Sequence, residues 1–91
     1  MAAEATTTIE NKQGIHARPA SLFVQTASKF KSKIKIKAKG KEVDAKSILM
    51  IMSMGLVKGT EITLVAEGPD EAEAVQALKE LVDSKFNEAD A

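Results

Sequence analysis

Lysine occupies every second position from Lys31 to Lys41, and small or apolar residues separate these lysines. A β-strand sends successive side chains to opposite faces with a period of two, whereas a helix repeats its faces about every 3.6 residues. The alternation therefore predicts a strand with one solvated lysine face and one buried face. A sheet built around this strand is therefore expected to have one face covered by other parts of the chain and the other face in solvent.

The remaining segments predict three further strands and three helices. We expect strands in AEATTTIE, KEVD and GTEITLVAEG, which are rich in alternating or β-branched residues. Helical spacing of apolar residues predicts one helix from Ala17 to about Phe30, a brief second helix between Ser47 and Gly55, and a third in GPDEAEAVQALKELVDSKF. Asp70 and Glu73 have the spacing of a capping box at the start of the third helix.

These elements follow one another as β-α-β-β-α-β-α. The prediction is an α+β open-faced sandwich, in which three helices cover one face of a four-stranded antiparallel sheet. Residues 1–91 form a single domain in this interpretation, and residues 88–91 are expected to fray.

Composition excludes several classes of chemistry. Cysteine is absent and there is one histidine, so disulfides, thiolate chemistry and a metal site are not expected. No glycine-rich phosphate loop occurs either, which excludes a P-loop and a dinucleotide-binding fingerprint. The chain has neither a secretory signal nor an apolar run of about 20 residues, which predicts a cytoplasmic protein without membrane insertion.

The stretch QGIHARPAS contains the single histidine, His16, and the single arginine, Arg18. Pro19 is tolerated in a first helical turn, so the helix is expected to begin at Ala17 or Arg18 with His16 at its cap. The positive end of the helix dipole disfavours imidazolium, which leaves a neutral and nucleophilic ring. Free backbone N–H groups and the Arg18 guanidinium could bind a phosphoryl group on that ring. From the residues alone, an incidental surface histidine is an equally good explanation.

The lysine face permits a second interpretation, a surface that binds nucleic acid. Against it, the formal net charge is zero and the chain has no Tyr or Trp to stack on bases. A solvated sheet face is the simpler explanation, and no nucleic-acid partner is expected.

Three segments carry a resemblance to a known family. GIHARPAS, KSILMIMSMG and GTEITLVAEGPDEAEAVQAL look like the corresponding parts of HPr, the histidine-containing phosphocarriers of the bacterial sugar phosphotransferase system. The resemblance covers nearly the whole chain and agrees with the expected sandwich. It implies that a phosphoryl group from phosphoenolpyruvate reaches His16 through enzyme I and passes to a IIA protein or domain. Such a protein is a carrier with a phosphohistidine intermediate rather than an enzyme that turns over a small substrate.

The resemblance also assigns roles to individual residues. His16 matches the histidine whose Nδ1 carries the phosphate, and Arg18 matches its active-site partner, while the backbone at Ala17 and Arg18 would bind the phosphate. No metal or cofactor is implied, and a monomer is expected. A nitrogen-related regulatory paralogue remains an alternative, because that branch keeps the histidine, whereas the corepressor kind that has lost it does not fit.

Ser47 has two interpretations. Serine is a favoured N-cap, which predicts a structural role at the start of the second helix. Ser47 also matches the serine that an HPr kinase/phosphorylase modifies in some bacteria, which would bring in a catabolite-control regulator as a partner. Both interpretations remain open from the sequence.

The second helix has more apolar residues than so short an element can bury. The resemblance implies a docking patch for partner proteins formed by Ile48, Leu49, Met52 and Leu56. We expect Leu49 and Met52 in particular to be exposed. Met50 departs from relatives, which often have a small residue such as glycine there.

Overall fold

The computed structural model describes residues 2–10, 15, 17–84 and 86. Its strands are β1 (Ala3–Thr8), β2 (Lys33–Ala38), β3 (Lys41–Asp44) and β4 (Glu61–Glu67). Its helices are α1 (Ala17–Ala27), α2 (Ile48–Ser53) and α3 (Glu71–Asp83). The order β-α-β-β-α-β-α is therefore confirmed.

The four strands form one antiparallel sheet in the order β1-β4-β2-β3. Leu64 of β4 lies opposite Ala5 of β1 on one side and Ile36 of β2 on the other. The helices pack on one face of this sheet, with α3 against β1 and β4 and with α1 against both other helices. The predicted open-faced sandwich is confirmed.

The buried face of the sheet follows the period of two. In β2 the lysines are exposed while Ile34, Ile36 and Ala38 are buried, and β4 buries Ile62, Leu64 and Ala66 in the same way. The helices complete the core with fully buried side chains such as Phe23, Leu78 and Val82. Phe86, after the end of α3, is also buried and is 1% exposed. The strand alternation thus decides which side of the sheet receives the helices.

The first helix is shorter than its apolar spacing predicts. It ends at Ala27 instead of Phe30, because the chain continues in a tighter turn. There the backbone N–H of Lys29 donates to Thr26 O and that of Phe30 to Ala27 O, each at 3.2 Å. Phe30 still packs against the core, half-buried, so its place in the apolar pattern comes from the turn and not from the helix.

The predicted capping box at the third helix is wrong. Asp70 is the N-cap residue of α3, but its side chain makes no capping hydrogen bond. Its carboxylate instead accepts from the backbone N–H of Lys31 at 2.9 Å and from both the N–H and the hydroxyl of Ser32. These hydrogen bonds, the one from the Ser32 hydroxyl foremost, hold the pKa of Asp70 below its ordinary value of 3.8.

Glycine is required at two positions, at one by a close approach of two chain segments and at the other by a hairpin turn. A Cβ at Gly68 would lie 2.6 Å from Ser32 Cα, so only glycine lets the start of α3 approach β2 this closely. Gly40 follows Lys39 in the two-residue β2–β3 hairpin, where both residues have positive φ, 53° and 77°. From this hairpin the Lys39 ammonium donates to Gly55 O at 2.7 Å, directly after α2.

Candidate functional site

His16 and residues 88–91 lie outside the residues that the structure describes. Ile15 and the residues from Ala17 onward define the surroundings of the site. Ile15 precedes it and is 7% exposed, and the Ile15 backbone N–H donates to Leu56 O at 2.7 Å. The chain is thus anchored to the core and to the α2–β4 connection one residue before the histidine.

The first helix begins directly after the histidine. Ala17 is its first residue, as predicted, and Pro19 is buried in the first turn. The first N–H groups of a helix have no acceptor within it, and no acidic side chain occurs in this turn to take them up. Ala17 and Arg18 are exposed, so the turn offers backbone donors and a guanidinium to an anion in solvent. This arrangement can bind the oxygens of a phosphoryl group.

Ser47 caps the second helix, which confirms the structural part of its prediction. Its backbone is extended, with φ −117° and ψ 114°, and its hydroxyl accepts from the Met50 backbone N–H at 3.3 Å. The Ser47 side chain is half-buried. Its hydroxyl therefore has an established role at the start of α2, before any modification is considered.

The outer side of α2 exposes a group of large apolar side chains, which we call the apolar patch. Leu49 is 81% exposed, and the predicted exposure of Leu49 and Met52 is confirmed. The members of the patch are Ile48, Leu49, Met50, Met52 and Val57. Exposed apolar groups of this kind mark binding surfaces more often than isolated ones do.

Leu56 was expected in the docking patch, and the structure shows this expectation to be wrong. It is only 2% exposed and belongs to the core, so its side chain is not available to a partner in this structure. The reason is the turn at Gly55, where a φ of +62° redirects the chain after α2 and points Leu56 inward. Its carbonyl instead holds Ile15, which places Leu56 beneath the site.

Met50 and Val57 are members of the patch that the sequence did not identify. Val57 directly follows the buried Leu56 and is 57% exposed. Residues 55–57 lie between α2 and β4, outside both elements, so no periodicity indicated which of the two side chains would be exposed. Met50 is 44% exposed although it lies next to the buried Ile51, and the helical spacing of α2 alone could have indicated this.

The lysine face carries acids among its bases. Lys35 and Lys37 of β2 both form ion pairs with Glu42 of β3, at 3.3 and 3.6 Å. On the other side of β2, Lys33 lies opposite Glu67 of β4. The face is therefore a mixed-charge surface, which is typical of a solvated sheet and not of a site for a polyanion.

In residues 2–10, 15, 17–84 and 86, no three His, Cys, Asp or Glu side chains cluster as a metal ion would require. Within the same part of the chain, no helix has the length and apolarity needed to cross a membrane.

This chain is similar to the members of a known protein family. A model of the PTS HPr component phosphorylation site matches residues 3–84. Phosphocarrier protein HPr of Treponema pallidum (strain Nichols) is 47% identical over 83 residues, covering 91% of this chain and 94% of that protein.

Solved structures give the same result. HPr-C-His from Thermoanaerobacter tengcongensis is 56% identical with a TM-score of 0.91, and the match covers 94% of this chain and 97% of that one. The catabolite repression protein Crh of Bacillus subtilis, described as a swapped dimer, is 44% identical with a TM-score of 0.74, over 87% of this chain and 91% of that one. The chain therefore belongs to the HPr family, the phosphocarriers of the phosphotransferase system.

Proposed function

We propose that this chain accepts a phosphoryl group on His16 from phospho-enzyme I and passes it to a IIA protein or domain for sugar uptake. The observation that carries the proposal is the start of α1 at Ala17, which puts a helix N-terminus and the exposed Arg18 directly behind His16. Membership of a phosphocarrier family supports it.

The chemistry follows from these neighbours. The N–P bond forms at the imidazole Nδ1 as the donor's bond to phosphorus breaks, and the reverse exchange releases the group to the acceptor. Phosphoryl transfer requires mainly positioning and charge stabilisation. The backbone N–H groups of Ala17 and Arg18 and the Arg18 guanidinium supply both, since a guanidinium can bind two phosphoryl oxygens at once.

The anchor at Ile15 contributes to positioning. Its backbone bond to Leu56 O holds the chain immediately before His16, and α1 holds the chain immediately after it. A carrier must accept and release its phosphoryl group, so an open site without an enclosed pocket or a cofactor suits this function.

Phosphorylation by phosphoenolpyruvate and enzyme I tests the proposal. Wild-type protein should acquire acid-labile phosphate, and His16→Ala should acquire none. Arg18→Lys keeps the charge but loses the fork of donors, so it should be labelled more slowly than wild type and faster than Arg18→Ala. Wild type that remains unlabelled would contradict the carrier function.

The acceptor separates the sugar branch from a nitrogen-related one. Phosphorylated protein is mixed with a IIA protein of each branch, and the loss of phosphate from His16 is followed in time. We expect rapid transfer to the sugar IIA. Faster transfer to the nitrogen-branch acceptor would assign the chain to the regulatory paralogue.

The apolar patch is proposed to be the surface on which enzyme I and IIA proteins dock. Leu49 is its most exposed member, and Ile48 and Met52 flank it along α2. Flexible methionine side chains adapt to more than one partner surface, as a carrier between two proteins requires.

Ser47 is proposed as a second, regulatory phosphorylation site. A phosphate at a helix N-terminus is tolerated locally, but its charge next to the patch would oppose acidic partners. Its modification by an HPr kinase/phosphorylase would also create a binding site for a catabolite-control regulator. ATP with the kinase should label wild type and not Ser47→Ala, and equal labelling of both would contradict the assignment.

The protein is proposed to act as a monomer in the cytoplasm. Within the chain, β1 pairs with β4 over six residues, and the Thr7 hydroxyl donates to Asp83 of α3. These contacts hold β1 on the sheet of its own chain. A measured mass in solution equal to one chain is expected, and a stable dimer would contradict it.

A further inference from the structure

The sulfur atoms of this chain are concentrated in one segment. The sequence has no cysteine and four methionines, and three of these, Met50, Met52 and Met54, lie in or directly after α2. Peroxides oxidise a thioether to a sulfoxide, which changes a flexible apolar side chain into a polar one. Because no thiol is present to react first, these thioethers are the chain's principal targets for such an oxidant.

The structure divides the three methionines into two classes. Met50 and Met52 are each 44% exposed and belong to the apolar patch, on either side of the buried Ile51. Met54 is 5% exposed and lies in the core. Only the first two thioethers are therefore open to a dissolved oxidant.

We propose that Met50 and Met52 are a peroxide-sensitive modification site that controls docking at the apolar patch. In each reaction the sulfur gains one oxygen atom from the peroxide, which is reduced to water or an alcohol. A thiol-dependent sulfoxide reductase reverses the change, as two thiols become a disulfide and the oxygen leaves as water. The consequence for docking rests on the proposed function of the patch.

Neither of the two exposed methionine side chains belongs to the buried core. The contact that Met50 makes with the Ser47 cap uses its backbone N–H, and the core side of α2 is formed by Ile51. Sulfoxides on the outer side therefore face water and require no repacking. We expect an unchanged thermal midpoint together with weakened docking.

The expected loss can be estimated from the surface that the partner would bury. Replacing two apolar groups by strongly hydrated sulfoxides opposes their transfer out of water, which should raise the KM for this protein in phosphorylation by enzyme I about tenfold. The maximum rate should change less, because the residues around His16 contain no sulfur.

Graded oxidation of the whole protein with hydrogen peroxide tests the selectivity. Trypsin cleavage after Lys46 and Lys58 places all three methionines in one peptide, in which fragment masses separate them. If the rate follows exposure, 44% against 5%, Met50 and Met52 should oxidise about nine times faster than Met54. Oxidation of Met54 at an equal rate would contradict the proposal.

Phosphorylation by enzyme I is then measured for wild type and for Met50→Leu/Met52→Leu, each compared with its own untreated form. Wild type should lose affinity on oxidation and regain it after the reductase, whereas the double variant should show a ratio near one. An equal loss in the double variant, or no loss in oxidised wild type, overturns the proposal. Failure of untreated wild type to be phosphorylated would instead contradict the proposed carrier function.

Discussion

The two sides of the segment 47–57 have opposite environments although they belong to the same short stretch of chain. Leu49 on the outer side is 81% exposed, whereas Leu56 on the inner side is 2% exposed. Ile51 and Met54 accompany Leu56 in the core. One segment thus contributes both to the core of the domain and to the apolar patch that is proposed as its docking surface.

The contributions of the two sides are carried by different residues. The inner side holds the site in place through the Leu56 carbonyl, which accepts the Ile15 N–H. The outer side makes no comparable contribution to the core, and its proposed contribution is to the docking of partner proteins. Substitutions should therefore separate stability from docking.

The largest effect is expected for Leu56→Ala. Removing a buried leucine side chain from a packed core leaves a cavity and should lower the free energy of unfolding by about 3 kcal/mol. Val57→Ala is the matched control, because the Val57 side chain lies next to Leu56 in the sequence but is 57% exposed. This substitution should change the free energy of unfolding by less than about 0.5 kcal/mol. Urea unfolding measures both, and similar losses in the two variants would contradict the division between the sides.

A charge on the outer side should give the next largest effect. Leu49→Asp places a carboxylate in the apolar patch, which should cost about 2 kcal/mol of docking, or roughly a 30-fold loss in kcat/KM with enzyme I. Its thermal midpoint should remain that of wild type. Gln76→Asp adds the same charge at an exposed position of α3 and should retain the wild-type rate. If both variants slow transfer equally, net charge and not the patch determines docking.

Acid should weaken the domain as a whole and not one side of α2. The pKa of Asp70 lies below 3.8 in the folded protein because the Ser32 hydroxyl and the Lys31 and Ser32 N–H groups donate to its carboxylate. Its stabilising contribution is therefore present above pH 3.8 and is lost as pH falls through the lower folded pKa. Asp70→Asn should flatten this acid limb in urea unfolding series, and an unchanged pH dependence would contradict it.

Asp70 also shows where sequence reasoning reached its limit. The lysine alternation from Lys31 to Lys41 correctly predicted the buried face of the sheet, because the strand period is a local property. The Asp-x-x-Glu spacing was local too, but the carboxylate bonds to a segment 38 and 39 residues earlier in the chain. No local pattern indicates that competing partner, since it depends on how α3 meets the start of β2.

The features of the site that depend on local signals could also be predicted, whereas those that depend on distant contacts could not. The start of α1 at Ala17 and the Ser47 cap followed from helix signals within a few residues. The inward direction of Leu56 did not, because it depends on the positive φ of Gly55 and on the bond to Ile15, which lies 41 residues earlier. Apolar residues after a short helix give no indication of which side they face until the turn is known.

The smallest effect is expected at the boundary between the two sides, where Ser47 begins α2. Ser47→Ala removes the oxygen that accepts the Met50 N–H and should lower the free energy of unfolding by about 1 kcal/mol. Ser47→Asp supplies another good capping oxygen, so its stability should be close to wild type, while its charge next to the patch should slow docking. Urea unfolding and phosphorylation by enzyme I, measured on the same samples, separate the two effects. If Ser47→Asp lost as much stability as Ser47→Ala, the cap would not be what the hydroxyl contributes, and the boundary residue would belong with the inner side.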